Sequence, residues 1–260
     1  MTKLPHYLLV FAILGISFSG CMHSRANKEV FFQTSTIDAL LDGEYDGNIT
    51  YGDLKKHGNT GIGTFDGLDG EMIGVNNKFF QIKADGMAYP VDDSMTAPFA
   101  MVTFFEPDRT LFIDKLLNYN GLERYLDDLL PTKNIFYAVK IDGNFTYVRT
   151  RSVPKQNKPY LPLAEVVKNQ PIFEFLGVQG TIIGFRLPDY IKGINMPGYH
   201  LHFITEDKKG GGHLLECQMR EGKAEIDDTA EFYMILPKEG EFYKRDLTKD
   251  RQKEVEGVEK

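Results

Sequence analysis

The sequence predicts an α+β fold. Strand-like and helix-like stretches segregate instead of alternating, which argues against a doubly wound parallel sheet. Beyond residue 171 nearly every apolar run has strand character. The composition agrees. A chain of 260 residues, 42% hydrophobic and 26% charged, suits a folded soluble protein of one large or two modest domains. Nineteen Phe and thirteen Tyr supply core aromatics where Trp is absent. Net charge is 30 − 37 = −7 without a basic stripe, so nucleic acid is not an expected partner.

The elements follow in chain order. Residues 7–16 (YLLVFAILGI) form an apolar run after Lys3, and Ser19-Gly20 precede Cys21. This reads as a secretory signal over residues 1–20, too short to span a membrane. Ser-Gly-Cys resembles a bacterial lipobox, with Phe18 where Leu is usual. Cys21 would then be lipidated and become the first mature residue, leaving the lipid anchor as the chain's one link to a membrane. The alternative is an ordinary secreted protein cleaved nearby. Either way the protein is expected to be exported. Residues 22–29 (MHSRANKE) make a polar tether.

Residues 30–46 begin as a strand and turn helical, with Thr36 placed to cap the helix. A short helix over 51–57 ends at Gly58. Residues 61–73 are turn-rich with apolar alternation and read as hairpins, and 79–84 and 100–105 as strands. Residues 111–130 (LFIDKLLNYNGLERYLDDLL) are predicted helical and stopped by Pro131. A strand over 134–141 is expected to turn at Asp142-Gly143 into another over 145–151. The stretch 153–171 holds four prolines and marks the expected domain boundary, giving an α+β domain over 30–160 and a strand-rich domain over 161–260. Strands are predicted at 172–176, 180–187, 199–204, 213–220, 223–226 and 231–236. The charged tail from 241 reads as partly helical.

The chemistry concentrates at three histidines. His200 and His202 sit two apart in Gly198-Tyr199-His200-Leu201-His202-Phe203, which on a strand sends both imidazoles to one face. Residues 205–212 (TEDKKGGG) read as a turn, and a returning strand from His213 brings a third ring beside the pair. Three imidazoles on a hairpin suit a divalent ion such as zinc. A fourth position stays free for water or substrate, the catalytic arrangement. The competing reading is three ordinary hydrogen-bonded polar side chains. Cys217 shares a strand face with His213 but lies ~13 Å farther along, so it reads as a buried core thiol. Arg149 and Arg151 alternate on a strand and so point the same way. Either one fits a carboxylate clamp, and a solvated face is the plainer alternative. Glu71, at a hairpin edge, and the C-terminal acids Glu254, Glu256 and Glu259 read as surface charge, and His57 as a helix-end residue.

Several stretches together resemble the α-acetolactate decarboxylase family. They are residues 61–72 (GIGTFDGLDGEM), Ala97-Pro98-Phe99-Ala100, residues 148–154 (VRTRSVP), and residues 198–203 with Gly211-Gly212-His213. The similarity spans roughly residues 30–260. It implies zinc held by His200, His202 and His213, with active-site roles for Glu71 and Arg151. A further C-terminal glutamate falls on Glu259, with Glu256 and Glu254 as alternatives. It also implies a mixed β-sheet domain, a smaller strand-rich, barrel-like domain carrying the metal hairpin, and a homodimer. The implied reaction takes 2-acetolactate (2-hydroxy-2-methyl-3-oxobutanoate) to acetoin and CO2. Zinc serves as the Lewis acid for the enediolate, and Arg and Glu assist. Two rival readings use the same histidines. A non-enzymatic metal-binding lipoprotein needs neither Arg151 nor Glu71. A cupin-type enzyme places its last histidine much later than His213.

Overall fold

The computed structural model describes residues 29–259. Cys21 and the signal segment lie outside that range. Among the described residues no helix is long and apolar enough to cross a membrane. The strands are β1 (Val30–Thr34), β2 (Ile49–Thr50), β3 (Thr60–Thr64), β4 (Glu71–Val75), β5 (Lys78–Ile82), β6 (Ala88–Pro90), β7 (Thr96–Ala97), β8 (Ala100–Thr103), β9 (Arg109–Ile113), β10 (Leu117–Asn118), β11 (Phe136–Arg151), β12 (Ile172–Leu187), β13 (Gly198–Thr205), β14 (Gly211–Thr229) and β15 (Glu231–Ile235). The helices are α1 (Ile37–Leu41), α2 (Tyr51–Leu54), α3 (Tyr119–Asp127), α4 (Leu163–Val166) and α5 (Gln252–Glu259).

Two main sheets carry the architecture, as α+β predicts. The first is seven-stranded and mixed, in the order β15-β1-β8-β3-β4-β5-β6, with β15 parallel to β1. The second runs β10-β14-β11-β12-β13 and is antiparallel, with β9 also on β14. Strand β13 pairs back onto β14, so the path β14-β11-β12-β13 closes on itself. Between the sheets lies a core to which Ile62, Ile73 and Met101 of the first contribute, and Ala138, Ile183 and Phe185 of the second. Helices α1 and α5 add Leu40, Leu41, Val255 and Val258 to it. A second core built on Val139, Ile182, Leu201 and Phe203 lies on the other face of the second sheet.

Three expectations change. The segment 153–171 links β11 to β12, adjacent strands of one sheet, and β15 returns to the first sheet. Each sheet therefore draws strands from both sides of residue 160. The predicted breaks at Asp142-Gly143, at 177–179 and at 221–222 lie inside three long strands. Gly143 pairs with Gly180 on one side and Gly222 on the other, so a glycine row lets the strands bend and approach closely. A Cβ at Gly222 would sit 2.4 Å from the Asp142 carbonyl oxygen. The helix expected over 111–130 is only α3. Asn118 caps it by accepting from Gly121 N, while Leu111 and Ile113 pair with β14 and pack into the second core.

Candidate metal centre

Strand register builds the centre. Arg151 on β11 pairs with His213 on β14, and His213 pairs with His202 on β13. Directly opposed side chains on neighbouring strands stand about 5 Å apart at Cβ, so this row places a guanidinium and two imidazoles side by side. His200, two residues along β13, shares the face. The turn ends at Gly210, and Gly211 and Gly212 belong to β14. Gly212 has φ +139°, and a Cβ there would meet the Arg151 carbonyl oxygen at 2.3 Å. Glycine therefore permits the close approach that seats His213 against β11.

The three rings lie 5.1–5.4 Å apart between centroids. One ligand atom from each lies within 4.8 Å of the others. Backbone carbonyls hold two rings by their outer nitrogens. His202 Nδ1 donates to Met72 O at 2.9 Å, and His213 Nε2 donates to Glu259 O at 3.0 Å. Those bonds fix the tautomers and leave the lone pairs on His202 Nε2 and His213 Nδ1. Both atoms are buried without a hydrogen-bond partner, as are His200 Nδ1 and Glu259 Oε2. His202 Nε2, His213 Nδ1 and Glu259 Oε2, orphaned at the centre that His200 Nε2 also faces, call for a missing partner. Burial lowers all three histidine pKa values, those of His202 and His213 well below the ordinary range. Neutral imidazoles are what a metal ion requires. These residues could hold one.

Two carboxylates and Arg151 complete the site. Glu71 enters from β4 of the facing sheet, and its Oε1 accepts from Arg151 Nη1 at 3.0 Å. Its Oε2 lies 3.7 Å from His202 Nε2. Arg151 Nη2 donates to Val258 O at 3.0 Å, while its Nε has no partner. Glu259 Oε2 lies 3.3 Å from His200 Nε2, 3.6 Å from His213 Nδ1 and 3.5 Å from Arg151 Nη2. Burial pushes the Glu71 carboxyl up to about 7, against the opposing pull of Arg151. Glu71 is only 6% exposed and Glu259 7%, so the surface reading of both gives way. Glu254 turns to Arg251 and Glu256 to Gln252.

Other candidates sit elsewhere. Arg149 is partly exposed and lies 3.5 Å from Glu216, its partner on β14. Cys217 is fully buried in the second core. His57 stacks on Phe32 with centroids 3.9 Å apart, at the end of α2. The Met72 and Val258 carbonyls left no mark in the sequence, since a backbone oxygen carries no residue signature. Leu40, Leu68, Phe99, Val153 and Leu163 form the apolar wall of a cavity of about 30 Å³ beside the polar groups.

The sequence model of the alpha-acetolactate decarboxylase family matches residues 31–249. The chain belongs to that family. The decarboxylase of Methanosarcina mazei is 55% identical over 237 residues, covering 91% of this chain and 82% of the relative. That of Bacillus subtilis is 42% identical over 241 residues, covering 91% and 94%. A crystal structure of the alpha-acetolactate decarboxylase from Bacillus subtilis superposes with a TM-score of 0.87 over 88% of this chain and 99% of that one. The protein is thus a carboxy-lyase of the alpha-acetolactate decarboxylase family, acting on a small-molecule substrate. The family match stops at residue 249, so Glu259 is placed by the geometry of α5 alone.

Proposed function

We propose that His200, His202 and His213 hold zinc and that the centre converts 2-acetolactate to acetoin and CO2. The convergence of unpartnered ring nitrogens beside the Glu71–Arg151 pair carries this reading. Three imidazole ligands with a further site left open match zinc in a catalytic setting. The ion, when bound, supplies Lewis acidity for the charge that builds up as CO2 leaves.

The chain's own groups do the rest. Arg151 keeps its Nε donor free for a substrate oxygen, and its two Nη groups are tied to Glu71 and Val258 O, so its plane is fixed before substrate arrives. As the C–C bond to the carboxylate breaks, its electron pair stays on the substrate and CO2 departs. Glu71 then delivers a proton to that carbon from one side, giving one enantiomer of acetoin, and is reprotonated from water. Its raised pKa keeps the proton available near neutral pH. The apolar wall excludes bulk water and receives the methyl groups. The closed strand path supports the barrel-like reading of the second sheet. Export with a lipid anchor at Cys21 and a homodimeric state belong to the same proposal.

The test is acetoin release by purified protein stripped with chelator and reloaded with zinc. Activity should vanish and return, and His202→Ala should lose metal and turnover together. Full activity after complete metal removal would reject the reading. A metal-binding protein without enzymatic function would keep zinc yet release no acetoin, and it offers no reason for the buried Glu71–Arg151 pair.

A further inference from the structure

Glu259 and the Val258 carbonyl reach the centre on α5, and the far end of that helix is clamped to α1. Arg251 stands at the start of α5, where its carbonyl accepts from Glu254 N at 2.9 Å and Val255 N at 3.0 Å. Its guanidinium Nη2 donates to Asp42 Oδ1, and Asp42 caps the C-terminal end of α1. Arg245 donates to Asp42 Oδ2 at 3.2 Å and lies 3.7 Å from Glu44. The Arg251 side chain is only 12% exposed.

Between the clamp and the centre, α5 is seated by apolar contact. Val255 and Val258 join the core that holds Leu40, Leu41 and Leu163. Such contact is non-directional, so the middle of this short helix fixes neither its roll nor its slide, and the bonds to Val258 O and Glu259 O at the centre end depend on how the far end is seated. Glu259 lies about 12 Å from Arg251 along the helix axis. A tilt of about 10° at one end therefore shifts the other by about 2 Å, well beyond the ~0.5 Å tolerance of a catalytic or metal-binding group.

We propose that Arg251, acting through Asp42, is a positioning residue for the metal centre. The ion pair sets the seat of α5 on α1 and so places Glu259 and the Val258 carbonyl against His200, His213 and Arg151. The inference rests on the metal reading above and adds a residue pair that touches neither metal nor substrate.

The experiment uses the full chain with zinc alone as probe. Arg251→Met should weaken zinc affinity roughly tenfold or more, read by chelator competition, a size typical of lost support behind metal ligands. Arg251→Lys should recover part of the loss. In a Glu259→Ala background the Arg251→Met effect should shrink clearly below additivity, because the clamp works through that arm. Amide exchange over 252–259 should quicken in Arg251→Met while the strands keep their protection. Unchanged zinc affinity with unchanged exchange would overturn the proposal, and so would fully additive losses. Failure of the parent protein to bind zinc would count against the metal reading instead, and the exchange measurement would still decide whether the clamp seats α5.

Discussion

Replacing Glu71 by Gln isolates one proton. The amide keeps the shape of the side chain, and its oxygen can still accept from Arg151 Nη1, as Oε1 does at 3.0 Å. The lost property is the ability to give a proton. Burial pushes this carboxyl up to about 7, with Arg151 opposing and Glu259 adding to the rise. A zinc ion held as proposed would pull it lower by its charge. General acid catalysis by a positioned group contributes about 10² to 10⁴ in rate, or about 3–5 kcal/mol of barrier. The variant should therefore lose kcat by that factor while its zinc content stays at one per chain. Wild-type kcat should fall as pH rises through the carboxyl's titration, and this limb should be missing from the variant. The assay follows acetoin and CO2 from racemic acetolactate between pH 5 and 8 and resolves the acetoin enantiomers. A kcat within threefold of the parent, with the enantiomer ratio unchanged, would remove Glu71 from proton delivery.

The remaining predictions concern stability and address. Gly212→Ala puts a Cβ 2.3 Å from the Arg151 carbonyl oxygen at φ +139°, so it should cost about 1–3 kcal/mol in urea melts and weaken zinc binding as His213 shifts. Asp227 is 2% exposed, and burial first, then Asp108, Glu29 and Asp228, push its carboxyl from 3.8 to about 7. Because the folded pKa is raised, its contribution is fully present below about pH 4 and is lost as pH climbs through about 7. A rise of that size corresponds to about 4 kcal/mol, so Asp227→Asn should exceed the parent in stability by several kcal/mol at pH 8 and match it near pH 4. Equal melts at both values would refute this. Cys21→Ser should move the protein from the membrane fraction to the soluble exported fraction. Unchanged membrane association would rule out the lipid anchor.

The legible parts of this protein were those coded by side chains close in sequence. The His200–His202 alternation on one strand, the return at His213 and the Thr36 cap, which accepts from Ala39 N at 3.2 Å, all follow from local spacing. The burial of Glu71 was hidden because it comes from a facing sheet whose closeness no spacing encodes. Glycines at 143, 177 and 222 resemble turn signals but sit in long bent strands, where cross-strand pairing overrides local preference. Leu111 and Ile113 fit a helical period equally well, yet an open edge of β14 claimed them. The prolines of 153–171 resemble a domain boundary in sequence but lie in a connection between adjacent strands of one sheet.

The Arg151–His213–His202 row makes strand alignment and chemistry one and the same property. A one-residue slip of β14 would turn His213 toward the second core and carry Leu214 to the metal side. Loop engineering between Thr205 and Gly210 is thus constrained by parity. A misaligned hairpin could stay folded while being chemically silent, a failure that a melting curve would overlook and a titration with zinc would expose.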